Sequence, residues 1–269
     1  MLASGCRKQS TEQAFDLAQA MKMFYGNYDV KTQTSVASLP KDKSSFPAAG
    51  EQQMTIRMLF NAFSGDAGAQ SFILVTYAVP TSGQTFDCHA CAPTIGMATF
   101  SQKGLKWTID ASSRAITFSG EWGKPPTDIQ LVQIGPKRHA VQLIDVGEGQ
   151  GETTAVMQLL IPWNGIVYLG LERIVADDNK GACDPRGLPC YANHRSLAFI
   201  RNGHVAFYDL ELKLTGTDFP LSDRSARVRI RKVRGLETFK FENGAYVQGS
   251  RKGDLTSVED FIQKRKKHE

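Results

Sequence analysis

Four cysteines in two close pairs are the residues of this 269-residue chain whose types and spacing are best suited to chemistry. Cys91 follows Cys88 by three positions, and Cys190 follows Cys183 by seven. Oxidation within each pair closes a short loop, as is common in proteins of oxidising compartments. The spacing therefore favours two local disulfides, Cys88–Cys91 and Cys183–Cys190, each of which contributes only about 1–2 kcal/mol because the loops are short.

The same thiols define the main alternative, a zinc-binding or thiol-active site built on the segment Cys88-His89-Ala90-Cys91. Four thiolates match the ligand number of tetrahedral zinc, although the second pair is wider than the usual half-site. Thioredoxin-like chemistry fits less well, because a strand-like segment follows Cys91 where that motif needs a helix. The candidate zinc ligands are Cys88, Cys91, Cys183 and Cys190, with His89 or His194 in addition.

The fifth cysteine, Cys6, lies in the segment Leu2-Ala3-Ser4-Gly5-Cys6. This segment resembles the end of a bacterial lipoprotein signal, in which a small residue precedes the cysteine that is acylated. It differs in that leucine stands four rather than three positions before the cysteine, and no apolar segment precedes it. The alternatives are a lipidation site at Cys6, with the true start upstream of Met1, and a chance cysteine in an unstructured N-terminus.

The net charge of +5 is concentrated near the C-terminus, since residues 224–269 contain 13 Lys and Arg against 6 Asp and Glu. Arg227, Arg229 and Arg231 alternate with other residues, so they project from one face of a predicted strand, and Arg224 and Arg234 extend the cluster. The arginine cluster has two interpretations. It is either the solvated face of an edge strand, or a surface that contacts an anionic envelope component or an acidic partner protein. Nucleic acid is disfavoured, because no aromatic platform interleaves the arginines.

The elements that must position these residues are mainly β. A capping box at Ser10 and Gln13 predicts an amphipathic helix that ends at Gly26, and a polar connector follows. Short strand-like segments with turn residues between them then predict antiparallel sheets, as a sandwich or a barrel. The predicted organisation is a flexible N-terminus (1–9), helix and connector (10–53), a β-rich domain (54–256), and a short helix with a basic tail (257–269).

The predicted strands cover residues 54–60, 72–79, 95–100, 105–110, 115–119, 129–134, 139–144, 156–161, 166–174, 196–200, 205–214, 226–233 and 238–241. Gly135-Pro136-Lys137-Arg138 is the turn of one predicted hairpin. His139 and His204 flank strands beside turns, where exposed histidines are common. No nucleotide-binding, metalloprotease or nucleophile-elbow signature occurs, so nothing argues for an enzyme and no cofactor is predicted.

Two blocks together resemble a group of uncharacterised bacterial envelope proteins. The first is residues 86–96, which contain Cys-His-Ala-Cys-Ala-Pro, and the second is Gly181-Ala-Cys-Asp184 followed by Cys190-Tyr191. Residues 24–29 and 207–212 fit the same group. The resemblance implies a periplasmic protein or an outer-membrane lipoprotein, attached through a lipid on Cys6, and implies no activity. The sequence thus predicts a non-enzymatic envelope protein that binds an unknown partner through its loops and its basic C-terminal face.

Overall fold

The computed structural model describes residues 15–39, 52–64, 70–81, 91–104, 106–184, 189–201, 205–219, 230–254 and 256. These contain one helix, α1 (Leu17–Tyr25), and thirteen strands, so the fold is mainly β as predicted. The strands are β1 (Ser35–Leu39), β2 (Gln52–Ser64), β3 (Ser71–Pro80), β4 (Thr94–Lys103), β5 (Lys106–Phe118), β6 (Asp128–Gly135), β7 (Arg138–Gly149), β8 (Glu152–Trp163), β9 (Ile166–Asp178), β10 (Ala192–Ile200), β11 (Asp209–Asp218), β12 (Arg231–Glu242) and β13 (Ala245–Gly253).

Helix α1 ends where the sequence predicts but starts later. Asp16 is its N-cap, and the capping box is completed by Gln19, whose backbone N lies 2.8 Å from Asp16 Oδ1. The predicted start at Ser10 is therefore wrong, because Asp16 has an extended backbone (φ −123°, ψ 170°) and no helix can run continuously through it. Ser10 itself lies outside the described residues. Gly26 closes the helix in the left-handed conformation at φ 84°, which confirms the predicted end.

Other sequence expectations also change. The strands predicted at 105–110 and 115–119 are one continuous strand, β5. The polar connector contains strand β1, which pairs with β2. Strand β12 is continuous from Arg231 to Glu242, where two separate strands were predicted, whereas β11 begins only at Asp209. The predicted C-terminal helix lies outside the described residues.

The strands form one open, mixed sheet whose connections meet at β9. Pairing is antiparallel throughout the described strands, apart from a single parallel contact between Ser112 of β5 and Ile166 of β9. Strand β9 pairs with β8 along its length and with β10 at its C-terminal end. Consequently β9 joins three sets of strands, β1–β5, β6–β9 and β10–β13.

These three sets pack as layers, because the strands of the first two carry apolar residues on both faces. In β3, Phe72 and Leu74 pack against α1, whereas Ile73 and Val75 pack against β7, β8 and β9. The opposite face of β6–β9 packs against β11, β12 and β13. Burial on both faces explains the continuous apolar runs in β3 and β8.

Buried polar contacts fix α1 on the first layer. Tyr25 Oη lies 2.6 Å from Thr76 Oγ1, and Arg114 donates to the carbonyl oxygen of Phe24 from Nη2 (2.6 Å) and Nε (3.1 Å). Burial raises the pKa of Tyr25 well above its ordinary value, so its hydroxyl stays protonated at neutral pH. Gly96 allows this approach, since a Cβ there would lie 2.9 Å from Tyr25 Oη.

Candidate functional site

A surface cavity of about 240 Å³ lies between the layer β1–β5 and the turn that joins β6 to β7. We call it the cationic pocket. Its lining residues come from β2, β3, β4, β5, β6, β7 and β8 and from the segment before β11: Ser64, Ser71, Ile73, Thr99, Asp110, Ile134, Lys137, Arg138, His139, Pro162 and Phe207.

The cationic wall of this pocket is built by the tight turn Pro136-Lys137. Proline presets the first turn position, and Lys137 takes a left-handed φ of 58°, so that Gly135 pairs with Arg138 across the hairpin. A side chain at Gly135 would collide with the carbonyl oxygen of Ala206. Glycine at this position therefore lets the segment before β11 lie against β6 and complete the pocket with Phe207.

Arg138 is held at the pocket by aromatic rings although it is exposed. Its guanidinium carbon lies 4.7 Å from the ring centre of Phe207 and 5.9 Å from that of Trp163. Phe207 in turn stacks on Phe241, with ring centres 3.6 Å apart and planes within 8° of parallel. Such cation–π contacts restrict the guanidinium before any ligand arrives.

His139 is the titratable group of the wall. It is partly buried rather than exposed as the sequence analysis expected, and this burial lowers its pKa from the ordinary value of 6.5. The imidazole is therefore mainly neutral at pH 7, where it can donate one hydrogen bond and accept one.

The opposite wall is formed by one carboxylate and three hydroxyl groups. Asp110 on β5 accepts a hydrogen bond from Ser101 Oγ (2.8 Å), and Lys103 Nζ lies 4.0 Å from the same oxygen, Oδ1. Ser64 and Ser71 are cross-strand partners at the end of β2 and the start of β3, and Thr99 lies on β4. This wall is polar but carries one negative charge against the two fixed positive charges that face it.

The second predicted cysteine pair is confirmed as a disulfide. Cys183 and Cys190 are joined with a Cα–Cα separation of 5.0 Å. Their thiolates are thus removed from the alternative zinc site, and His194 is an exposed residue of β10. Cys91 is also disulfide-bonded, whereas Cys88, His89 and Cys6 lie outside the described residues. Among the described residues, no cluster of three or more His, Cys, Asp or Glu could hold a metal ion.

The segment closed by this disulfide is anchored by Asn179. Its Oδ1 accepts from the backbone N of Tyr191 (2.7 Å), and its Nδ2 donates to the carbonyl oxygen of Pro189 (3.0 Å). Asn179 is fully buried. These bonds tie the C-terminal end of the segment to Asn179, and the backbone N of Cys183, which donates to the carbonyl oxygen of Asn179 (2.9 Å), ties its N-terminal end to the same residue. None of these residues lines the cationic pocket.

A buried ion pair lies beside this loop. Arg195 Nη1 is 3.6 Å from Asp177 Oδ1, with side chains only 2% and 1% exposed. Asn193 Nδ2 donates to Asp177 Oδ2 (3.2 Å), and Arg195 Nη2 donates to Thr256 Oγ1 (3.4 Å). The pair joins β9, β10 and residue 256, and its burial indicates a structural role.

Two of the five predicted basic-face arginines are described. Arg231 and Arg234 are both exposed on β12, but their odd separation places them on opposite faces of that strand. Arg231 Nη1 lies 4.0 Å from Asp254 Oδ1, which partly offsets its charge. Arg224, Arg227 and Arg229 lie outside the described residues.

The cationic pocket was not predicted from the sequence. The turn at 135–138 was predicted and the hairpin confirms it, but Lys137, Arg138 and His139 were given no role. The available signal was the run of three residues able to carry positive charge, Lys137, Arg138 and His139, which begins within a turn. The opposite wall has no such signal, because its residues come from four separate strands.

Comparisons with protein-family models, with curated proteins and with solved structures find no significant match for this chain. Within the described ranges, no helix is sufficiently long and apolar to cross a membrane.

Proposed function

We propose that this chain is a non-enzymatic binding protein of the bacterial cell envelope and that its cationic pocket binds a small anion. The observation that carries this proposal is the convergence of Lys137, Arg138 and His139 on one cavity. Two fixed cations and a neutral imidazole supply charge and hydrogen bonds to an anion, and cation–π contacts hold Arg138 in advance. The volume of about 240 Å³ is below the range typical of drug-sized ligands, about 300–1,000 Å³, and fits a small ligand.

The layers β1–β5, β6–β9 and β10–β13 constitute an antiparallel sandwich in this proposal. The apolar clusters shared between successive layers support that description. The rigid layers carry the walls of the pocket, so a ligand meets groups that are already in place.

We expect sulfate, an anion of constant charge near neutrality, to bind the pocket in calorimetric titrations. The double substitution Lys137→Gln and Arg138→Gln removes both fixed cations, so sulfate affinity should fall at least about tenfold. Lys213→Gln removes an exposed charge that does not line the pocket and should leave the affinity unchanged. Equal sulfate affinity in all three proteins would refute the pocket proposal.

We also expect sulfate affinity to depend on pH through His139. A bound anion favours the imidazolium form, so sulfate-bound protein takes up a proton more readily than free protein. By linkage, sulfate affinity rises as the pH falls from about 7.5 to about 5.5, across the ordinary imidazole pKa. His139→Gln should flatten this dependence, and a wild-type profile that the substitution leaves unchanged would assign the effect elsewhere.

The envelope location is supported by the Cys183–Cys190 disulfide and by the bonded state of Cys91, since such bonds persist in oxidising compartments. In the proposal, a lipid on Cys6 attaches the protein to a membrane. When the full coding sequence is expressed in bacteria, we expect labelled palmitate to be incorporated and Cys6→Ser to abolish the label. Cys91→Ser is the matched control and should retain it. Label that persists in Cys6→Ser would exclude lipidation at this residue.

The basic C-terminal segment provides the second contact of the proposal, with an anionic envelope component. Reversal of Arg227, Arg229 and Arg231 to Glu should weaken salt-sensitive binding to phosphatidylglycerol vesicles at least about tenfold, since each basic residue near a membrane surface contributes about 1 kcal/mol. Reversal of the exposed residues Lys31, Lys213 and Lys240 is the control. Equal losses in the two triple variants would indicate a general charge effect and not a basic face.

A further inference from the structure

We propose that the ligand of the cationic pocket is a small hydroxylated anion, in which a phosphate or carboxylate group is joined to a short carbon skeleton bearing hydroxyl groups. This inference rests on the proposed anion-binding function and concerns the second wall of the same cavity. It identifies what that wall recognises.

The cationic wall receives the charged end of the ligand. Lys137 and Arg138 provide ammonium and guanidinium donors, and Arg138 is turned over the Phe207 ring, with its carbon 4.7 Å from the ring centre. The guanidinium fork matches the paired oxygens of phosphate and carboxylate. Because the faces of Phe207 are occupied by Arg138 and Phe241, the ring does not offer a free stacking surface on either of those sides.

The carboxylate of Asp110 determines which functional groups are accepted on the part of the ligand away from its phosphate or carboxylate. Its hydrogen bond from Ser101 and its ion pair with Lys103 both involve Oδ1, and in the described part of the chain Oδ2 has no hydrogen bond. The side chain is 39% exposed at the cavity. A carboxylate oxygen of this kind repels a second anionic group but accepts strongly from a ligand hydroxyl.

A ligand ammonium group fits this wall less well than a hydroxyl. Lys103 Nζ, 4.0 Å from Asp110 Oδ1, already offsets the carboxylate charge, and Lys137 and Arg138 add further positive charge to the cavity. A neutral hydroxyl keeps the hydrogen bond to Asp110 without this repulsion.

The three hydroxyl groups of the same wall also complement a hydroxylated ligand. The hydroxyls of Ser64 and Ser71 can each donate one hydrogen bond and accept others, as ligand hydroxyls also do. Thr99 Oγ1 donates to the carbonyl oxygen of Ala111 (3.5 Å), so towards a ligand it can only accept. Ser64 and Ser71 face each other across β2 and β3, so they border one stretch of the cavity. Donors and acceptors of this kind recognise several hydroxyls on neighbouring carbons.

The test compares glycerol 3-phosphate with propyl phosphate, which has the same charge and carbon count but lacks the two hydroxyls. Calorimetry should give wild-type protein an approximately tenfold preference for glycerol 3-phosphate, equivalent to two net hydrogen bonds. Asp110→Asn should reduce this preference to about threefold or less while propyl phosphate binds equally or more tightly. Glu148→Gln, an exposed carboxylate near the far end of β7, should retain the full preference.

The outcomes separate the two proposals. Equal affinity for both esters overturns the hydroxylated class but leaves anion binding intact, whereas absence of binding by either ester overturns the proposed function as well. If 3-aminopropyl phosphate binds most tightly, the wall recognises an ammonium group and the inference is wrong. Where the preference holds, competition by phosphatidylglycerol vesicles assigns the ligand to a lipid headgroup, and its absence assigns it to a free metabolite.

Discussion

Replacement of Arg195 by methionine should lower the free energy of unfolding by about 3–5 kcal/mol, because it leaves the buried carboxylate of Asp177 without the cation 3.6 Å away. The methylenes of methionine preserve much of the arginine stem, so the effect arises from charge rather than from lost volume. Asn193 donates to the other oxygen of Asp177, but a neutral hydrogen bond does not replace an ion pair. Urea denaturation followed by circular dichroism measures the change.

The double variant Arg195→Met with Asp177→Asn tests the cause of this loss. It removes the buried negative charge but keeps an acceptor for Asn193, so it should regain stability relative to Arg195→Met alone. Arg57→Met, at an exposed position of β2, is the matched control and should change stability by less than about 0.5 kcal/mol. A double variant less stable than Arg195→Met would mean that the carboxylate charge is not the source of the penalty.

Gly135→Ala should destabilise the protein by about 3 kcal/mol, because the added methyl group collides with the backbone carbonyl of Ala206. Separation of this segment from β6 would also break the hydrogen bond from Tyr208 N to Ile134 O (2.8 Å) and displace Phe207 from Arg138. The variant should therefore lose sulfate binding even at temperatures where it remains folded.

Gly147→Ala is the control for this prediction. Gly147 lies on β7, where it pairs with Thr154 of β8, and a Cβ there has no neighbour within 4 Å. Alanine should be neutral or slightly stabilising at this site, since it restricts the unfolded chain. Similar losses of stability in both variants would show that the replacement of glycine itself, and not the close approach at Gly135, is the cause.

Much of the fold follows from local patterns. Strands such as β3 and β8 were recognised because their apolar runs are typical of strands buried on both faces. The start of α1 was misplaced because the sequence offers two capping boxes of equal spacing. The one at Asp16 begins the helix directly after Phe15, which packs against Phe72 and Trp107. Tertiary packing, which the sequence does not display, decides between them.

The candidate site was less predictable for the same reason. Cys183 and Cys190 are close in sequence, so their bond could be inferred from spacing. The pocket instead is lined both by Asp110 of β5 and by Arg138 of β7, which belong to different sets of strands. No hydrophobic periodicity and no sequence motif relates those two positions. The pocket therefore depends on the tertiary arrangement in which the pairing of β9 with β5 places the strands β1–β5 next to β6–β9.

The position of β9 also has a consequence for the order of folding. Strands β6, β7, β8 and β9 are consecutive antiparallel neighbours, so this central meander can form through contacts of short sequence separation. Contact between Ser112 and Ile166 closes a much longer loop, and β10 meets β9 only at residues 176–178. The sets β1–β5 and β10–β13 are likewise built from consecutive antiparallel neighbours. We infer that each of the three sets forms through its own short-range contacts and that the long-range contacts with β9 then join them.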